Sequence, residues 1–125
     1  MFEKHIIKCY ELQQQFDDLY IGGSWALIAQ NSIPYREPHD IDLITKSKRR
    51  LFNIFPEIPA ARFPRLHVYE DKTYELFNNP NAEYVVIEYQ GYNLKFSIVD
   101  EVLEWKRKRA HREKHFNDLN NLTLT

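Results

Sequence analysis

The chain has one cysteine, Cys9, in 125 residues, so no disulfide within it can staple the fold. It also lacks a charge excess: 17 Lys and Arg stand against 18 Asp and Glu, for a formal net charge of -1. That balance argues against a broadly basic nucleic-acid binder. Basic residues cluster only locally, at 46–50 and 106–114, which leaves a local nucleic-acid contact open. No apolar run is long enough to span a bilayer, and Met1 to His5 does not read as a signal peptide. Cytoplasm is therefore the expected compartment, with no membrane partner. There is no repeat or low-complexity tract. The apolar and aromatic content is that of a globular protein, and at this length a single domain over residues 1–125 is expected.

The periodicity predicts alternating elements. Phe2, Ile6, Ile7, Tyr10, Phe16 and Leu19 recur mostly three to four apart, one face of a helix over 2–19. Tyr20-Ile21 reads as a short buried strand. Ser24 to about Gln30 reads as a helix begun at a Ser cap, and 31–34 breaks it. Asp40 to Ile44 alternates acidic and apolar residues, as a strand buried on one face does. Ser47 can cap a basic helix to about Phe55, stopped by Pro56. Residues 56–64 hold three prolines and predict a loop. Arg65 to Glu70 suits a strand, and 78–81 a turn. Glu83–Tyr89 and Tyr92–Ser97 read as a hairpin about Gln90-Gly91. Ser97 with Asp100 fits a capping box for a helix over 98–109, and another helix fits 112–122. The order predicts an α/β or α+β fold: one mixed sheet flanked by helices, with helices at the C-terminal end.

Two stretches carry chemistry. Gly22-Gly23-Ser24 follows the predicted strand and opens the predicted helix. Free N–H groups at such a helix start suit phosphate oxygens, the glycines permit close approach, and the Ser24 hydroxyl adds a donor. Taken alone, the triplet reads first as a turn with a helix cap, since short glycine motifs often match by chance. It is neither a Walker P-loop nor a dinucleotide fingerprint, because the Gly-Lys-Ser/Thr and the third glycine are missing. Asp40 and Asp42, two apart on a strand, project to one face. Paired carboxylates repel and call for a counter-charge, for which Mg²⁺ is suited. A solvated strand face is the plain alternative, although Asp has poor strand propensity.

The triplet, fifteen intervening residues, then Asp40-Ile41-Asp42 resembles the DNA polymerase β-like nucleotidyltransferase superfamily. The runs Tyr20–Leu27 and Tyr35–Ile44 look most like its small-molecule branch, which includes lincosamide- and aminoglycoside-modifying nucleotidyltransferases. Gly91–Lys106 and Arg112–Leu119 are similar to a segment of the nucleotidyltransferase toxins of abortive-infection systems. There Lys114 and Asp118 match, while His115 stands where Asp is usual. The resemblance implies transfer of a nucleoside monophosphate from an NTP to a hydroxyl, with release of pyrophosphate. It implies Mg²⁺ or Mn²⁺ held by Asp40, Asp42 and a third carboxylate on a neighbouring strand. Glu88, a lone acid in the apolar run Val85–Tyr89, is the choice for that third position, and Glu70 is the runner-up.

Further candidates surround this set. Arg36, in the loop before the Asp pair, could bind phosphate in bidentate fashion. Lys106 shares an inward face with Val102 and Leu103 and could reach a triphosphate. Lys114 is a third candidate phosphate ligand, and it could instead pair with Asp118. Trp25, Tyr35 and Tyr89 could stack on a base, with core packing the expected duty of Trp25. His111 and His115 are four apart, but the intervening Glu is misplaced for a zinc-protease motif. Cys9 reads as structural. The expected function is a metal-dependent nucleotidyltransferase acting on a small molecule, a tRNA end or a protein side chain, so that nucleic acid enters as acceptor only. A nucleotidyltransferase-fold binding or regulatory protein with little catalysis, as in toxin–antitoxin pairs, is the alternative. A second copy or partner protein could complete the acceptor site.

Overall fold

The computed structural model describes residues 2–58 and 64–108. Helix α1 (Glu3–Gln15) leads into strand β1 (Leu19–Ile21) and helix α2 (Gly23–Ala29). Strand β2 (Ile41–Thr45) is followed by a 3-10 turn (Lys48–Phe52). Strands β3 (Arg65–Tyr69), β4 (Lys72–Asn78), β5 (Tyr84–Tyr89) and β6 (Tyr92–Ser97) precede helix α3 (Val99–Lys108). The six strands form one mixed sheet in the order β3-β4-β2-β1-β6-β5. β2 runs parallel to β4 and antiparallel to β1, and β1 runs parallel to β6. The expected α+β architecture is the one observed.

The apolar spacing of α1 explains its packing. Ile6, Cys9 and Leu12 are buried, followed by Phe16 just beyond its end. Gln13 lies on the same buried stretch and is fully used: its amide donates to the carbonyls of Leu19 and Lys95, and its Oε1 accepts the Lys95 N–H. A buried amide of this kind ties α1 to two strands without leaving an unmet polar group. Trp25 fills the core beside α1, with Phe2, Tyr89 and Phe96 against it edge-on at 4.8 to 5.7 Å, the core duty expected of it. Cys9 is fully buried, and burial pushes its thiol pKa up, away from reactivity.

Alternation along the central strands sets two faces. Ile41, Leu43 and Thr45 of β2, with Tyr74 and Leu76 of β4, are buried in the core. Asp42 and Ile44, with Glu75 and Phe77, take the other face. The β5–β6 hairpin turns at Gln90 (φ 49) and Gly91 (φ 92), the two positive-φ residues that a two-residue reversal requires.

Several boundaries differ from expectation. Gly22, not Ser24, is the N-cap of α2, and no side chain caps it. Ser47 does not cap the basic segment, which is a short 3-10 turn ending at Phe52 rather than a helix to Phe55. The capping box at Ser97 does not form, since Ser97 Oγ has no hydrogen-bond partner. β4 was not anticipated, although Tyr74 and Leu76 alternate with Thr73, Glu75 and Phe77. The helix expected over 112–122 lies outside the described residues.

α1 is also tied to the β3–β4 turn through His5, which is wholly buried. Its Nδ1 lies 2.7 Å from the Tyr74 hydroxyl and its Nε2 3.0 Å from Asp71 Oδ2. A neutral ring satisfies both contacts: Nε2–H donates to the carboxylate, and Nδ1 accepts the Tyr74 O–H, a tautomer assigned from this network. Burial holds the His5 pKa below its ordinary 6.5, outweighing the opposing pull of Asp71. The hydrogen bond from His5 in turn holds Asp71 below the usual carboxylate range. The unfolded chain therefore takes up a proton at His5 near its ordinary pKa, and the folded chain only at lower pH. Across that window the unfolded state binds more protons, so stability is lost as pH falls. Asp71 adds a loss of the same sign below its ordinary 3.8. Thermal midpoints measured from about pH 7.5 down to about pH 5.5 should decline, and the decline should flatten in His5→Asn.

Candidate active site

The site lies where β1 ends. The Gly22 N–H donates to the Asp42 carbonyl at 2.8 Å, which extends the β1–β2 pairing by one residue. Gly22 is still extended, and Gly23 at φ 62 turns the chain into α2. A Cβ on Gly22 would lie 2.7 Å from Ile44 Cδ1, and one on Gly23 would overlap the Asp42 carboxylate. The α2 start is thus pressed directly against Asp42.

Lys106 of α3 comes to the same place. It is 1% exposed, as its spacing from Val102 implied, and its Nζ donates to Ser24 Oγ at 3.1 Å. A buried ammonium is costly to desolvate and is stabilised by any anion brought to it. Ser24 and Lys106, 82 residues apart in sequence, therefore present a donor group beside Asp42.

Asp42 is the register partner of Glu75 on the parallel strand β4. Neighbouring strands lie about 4.8 Å apart, and register partners point to the same face. Asp40 lies one residue before β2, in the bend that leads into it. These are hard oxygen donors of the kind a divalent cation takes. Among the described residues no three His, Cys, Asp or Glu side chains are gathered closely enough to hold a metal ion. Glu75 is held sideways by Arg65 of β3 at 3.0 Å. The donor chemistry fits the cation, and Glu75 has one carboxylate oxygen, Oε1, committed to Arg65.

Glu88 is not brought to this place. It is exposed on β5, an edge strand three positions from β2 in the sheet, roughly 14 Å away by strand spacing alone. Glu70 is exposed in the β3–β4 turn. Glu75 is the acid that sequence reasoning missed. The signal was present: Tyr74-Glu75-Leu76 is an acid flanked by core residues, as Asp42 is between Ile41 and Leu43. Arg36 lies half-buried in the loop between α2 and β2, and Tyr35 is 73% exposed there. Tyr89 is buried in the Trp25 cluster rather than open to a base. Lys114, His115 and Asp118 lie outside the described residues.

A cleft of roughly 430 Å³, counting its open mouth, runs from Gly23 and Asp42 along this sheet face under α3. Ile44, Phe77, Val102 and Trp105 form its apolar walls. Among the described residues no helix is long and apolar enough to cross a bilayer.

No family model matches the chain, and no curated protein matches it. Among solved structures the chain is similar to ANT(2")-Ia, an aminoglycoside nucleotidyltransferase, crystallised in complex with adenylyl-2"-tobramycin. The TM-score is 0.58 at 16% identity, over 92% of this chain and 83% of that one. The fold is nucleotidyltransferase-like.

Gly23 and Gly91, both at positive φ, define a test of the site's construction. Gly23→Ala incurs the cost of a non-glycine residue at positive φ, about 1–3 kcal/mol, and also displaces the Asp42 carboxylate. Gly91→Ala, whose added methyl meets no atom within 4 Å, incurs only the first cost. Urea unfolding should show the larger loss at Gly23.

Proposed function

We propose that the chain is a metal-dependent nucleotidyltransferase that moves a nucleoside monophosphate from an NTP to a hydroxyl acceptor. The observation that carries this reading is the register of Asp42 with Glu75, with Asp40 two residues earlier, beside the Gly23-Ser24 helix start. The likeness to ANT(2")-Ia supports it at the level of fold.

Asp40, Asp42 and Glu75 would hold Mg²⁺ or Mn²⁺, which when bound offsets charge on the reacting phosphate and leaving oxygens. The remaining work falls to the chain itself. The α2 start, the Ser24 hydroxyl and the Lys106 ammonium bind the β- and γ-phosphate oxygens and hold the pyrophosphate as it leaves. Arg36 lies in the loop that precedes the Asp pair and adds a guanidinium for the same oxygens. The acceptor oxygen forms its bond to the α-phosphorus as the bond to the bridging oxygen breaks, in line. Glu75 takes the acceptor proton. Lys114 joins the phosphate ligands in this reading.

Transfer of labelled NMP in the presence of Mg²⁺ or Mn²⁺ tests the proposal. Asp42→Asn should abolish transfer with the fold intact by circular dichroism. Glu75→Gln should lower it more than about 100-fold, since even outer-shell partners of a metal ligand are worth about 10- to 100-fold. Glu88→Gln should leave it unchanged. Absence of both NTP binding and transfer would sink the proposal. The Arg65–Glu75 ion pair favours one second reading, a nucleotide-binding or regulatory protein with little turnover. NTP affinity without transfer, together with a co-purifying partner protein, would establish it.

A further inference from the structure

The cleft under α3 contains two polar atoms that nothing in the described structure satisfies. Ser97 is fully buried, and its Oγ has no hydrogen-bond partner. It stands at the inner end, 3.6 Å from where a Cβ of Gly22 would be. Four residues on, Glu101 projects from α3 into the same cleft. Its Oε1 accepts the Glu83 backbone N–H at 2.9 Å, while its Oε2 is buried with no partner. Buried acceptors left unmade are costly, so a site that carries them is shaped for a donor.

The walls state what carries that donor. Phe77 and Trp105 meet edge-on at 5.6 Å on one side, and Ile44 and Val102 complete an apolar slot. The slot opens directly from Asp42, where the reacting phosphate is placed in the proposed function. A flat, apolar-faced group with an N–H on its edge, joined to that phosphate through a sugar, matches both features.

We propose that this cleft is the nucleobase subsite, and that Glu101 selects bases bearing an exocyclic amine opposite it, adenine and cytosine, over uracil. The inference rests on the proposed function and adds to it the class of nucleotide. The amine donates to Glu101 Oε2. Uracil presents a carbonyl oxygen at the same edge position, so two acceptors would face each other without a proton between them. Ser97 lies nearer the α2 start, on the sugar side, and its hydroxyl can donate or accept, so it does not discriminate. Because Oε1 is already committed to the Glu83 N–H, a glutamine at 101 can keep that bond and turn an amide N–H₂ toward the base. It then donates to a carbonyl and favours uracil.

Binding of ATP, CTP, UTP and the triphosphate of purine riboside, each with Mg²⁺, should be followed by quenching of tryptophan emission, Trp105 being in the cleft wall. Wild-type protein should bind ATP and CTP roughly 10- to 100-fold more tightly than UTP, the penalty for a buried mispaired acceptor. The purine riboside nucleotide, which lacks only the amine of ATP, should bind about tenfold more weakly than ATP. In Glu101→Gln the ATP-to-UTP ratio should collapse toward unity or invert. Equal binding of all four by wild type overturns the base assignment and leaves the nucleotidyltransferase reading standing. An unchanged ratio in folded Glu101→Gln overturns the role of Glu101. Failure to bind any NTP overturns both. The purine riboside comparison needs no substitution, so it decides the matter even where the variant does not fold.

Discussion

The carboxylate of Asp42 occupies the space that a side chain at position 23 would need, and the arrangement of the cleft depends on that closeness. β1 is only three residues long and pairs with β2 through Gly22. The chain then reverses within a single residue. Ile44 excludes a side chain at Gly22, and Asp42 excludes one at Gly23. Each glycine therefore answers to a separate neighbour on β2. The first turn of α2, the Asp pair and the Ile44 wall of the cleft are consequences of one packing decision rather than three.

α3 completes the cleft from the far end of the sequence. Only Val102 and Lys106 of this helix are buried, the first by apolar contact and the second by its bond to Ser24. Long basic side chains commonly lay their stems on apolar surface and keep the charge in water. Here the charge is buried as well, which makes Lys106 part of the floor of the site rather than of the solvent boundary. The same helix holds Glu101 and Trp105 over the sheet, Glu101 through the Glu83 N–H and Trp105 against Phe77, so the burial of Val102 and Lys106 seats the groups that line the cleft.

The sheet and the first half of the site were legible because their signals are local. The Gly pair, the Asp pair and the Gln90-Gly91 reversal each specify geometry through a few adjacent residues, and their order along the chain carried the fold class. What was not legible was lateral. Glu88 stood out as the one acid in an apolar run, yet strand order sends β5 to an edge, and nothing within the run encodes strand order. Glu75 carries a local signal in its flanking Tyr74 and Leu76, but the stretch is bracketed by Asp71, Lys72 and Asn78, and only its pairing with β2 places it beside Asp42. Ser97 was misread for the same reason. Its spacing to Asp100 suggests a cap, while its neighbours across the sheet, Gly22 and Ile44, turn it into the cleft.

Glu88 retains a consequence on its own strand. Among the described residues β5 forms an edge of the sheet, and Tyr84 and Val86 lie exposed on it at 44% and 57%. An open strand with apolar side chains is a template for a second copy of itself. Glu88, exposed two residues beyond Val86, adds a charge to the same face of that edge. A charged side chain on an open edge is one of the devices by which sheet proteins discourage a neighbouring molecule from continuing the sheet, and Glu88 stands where such a device acts.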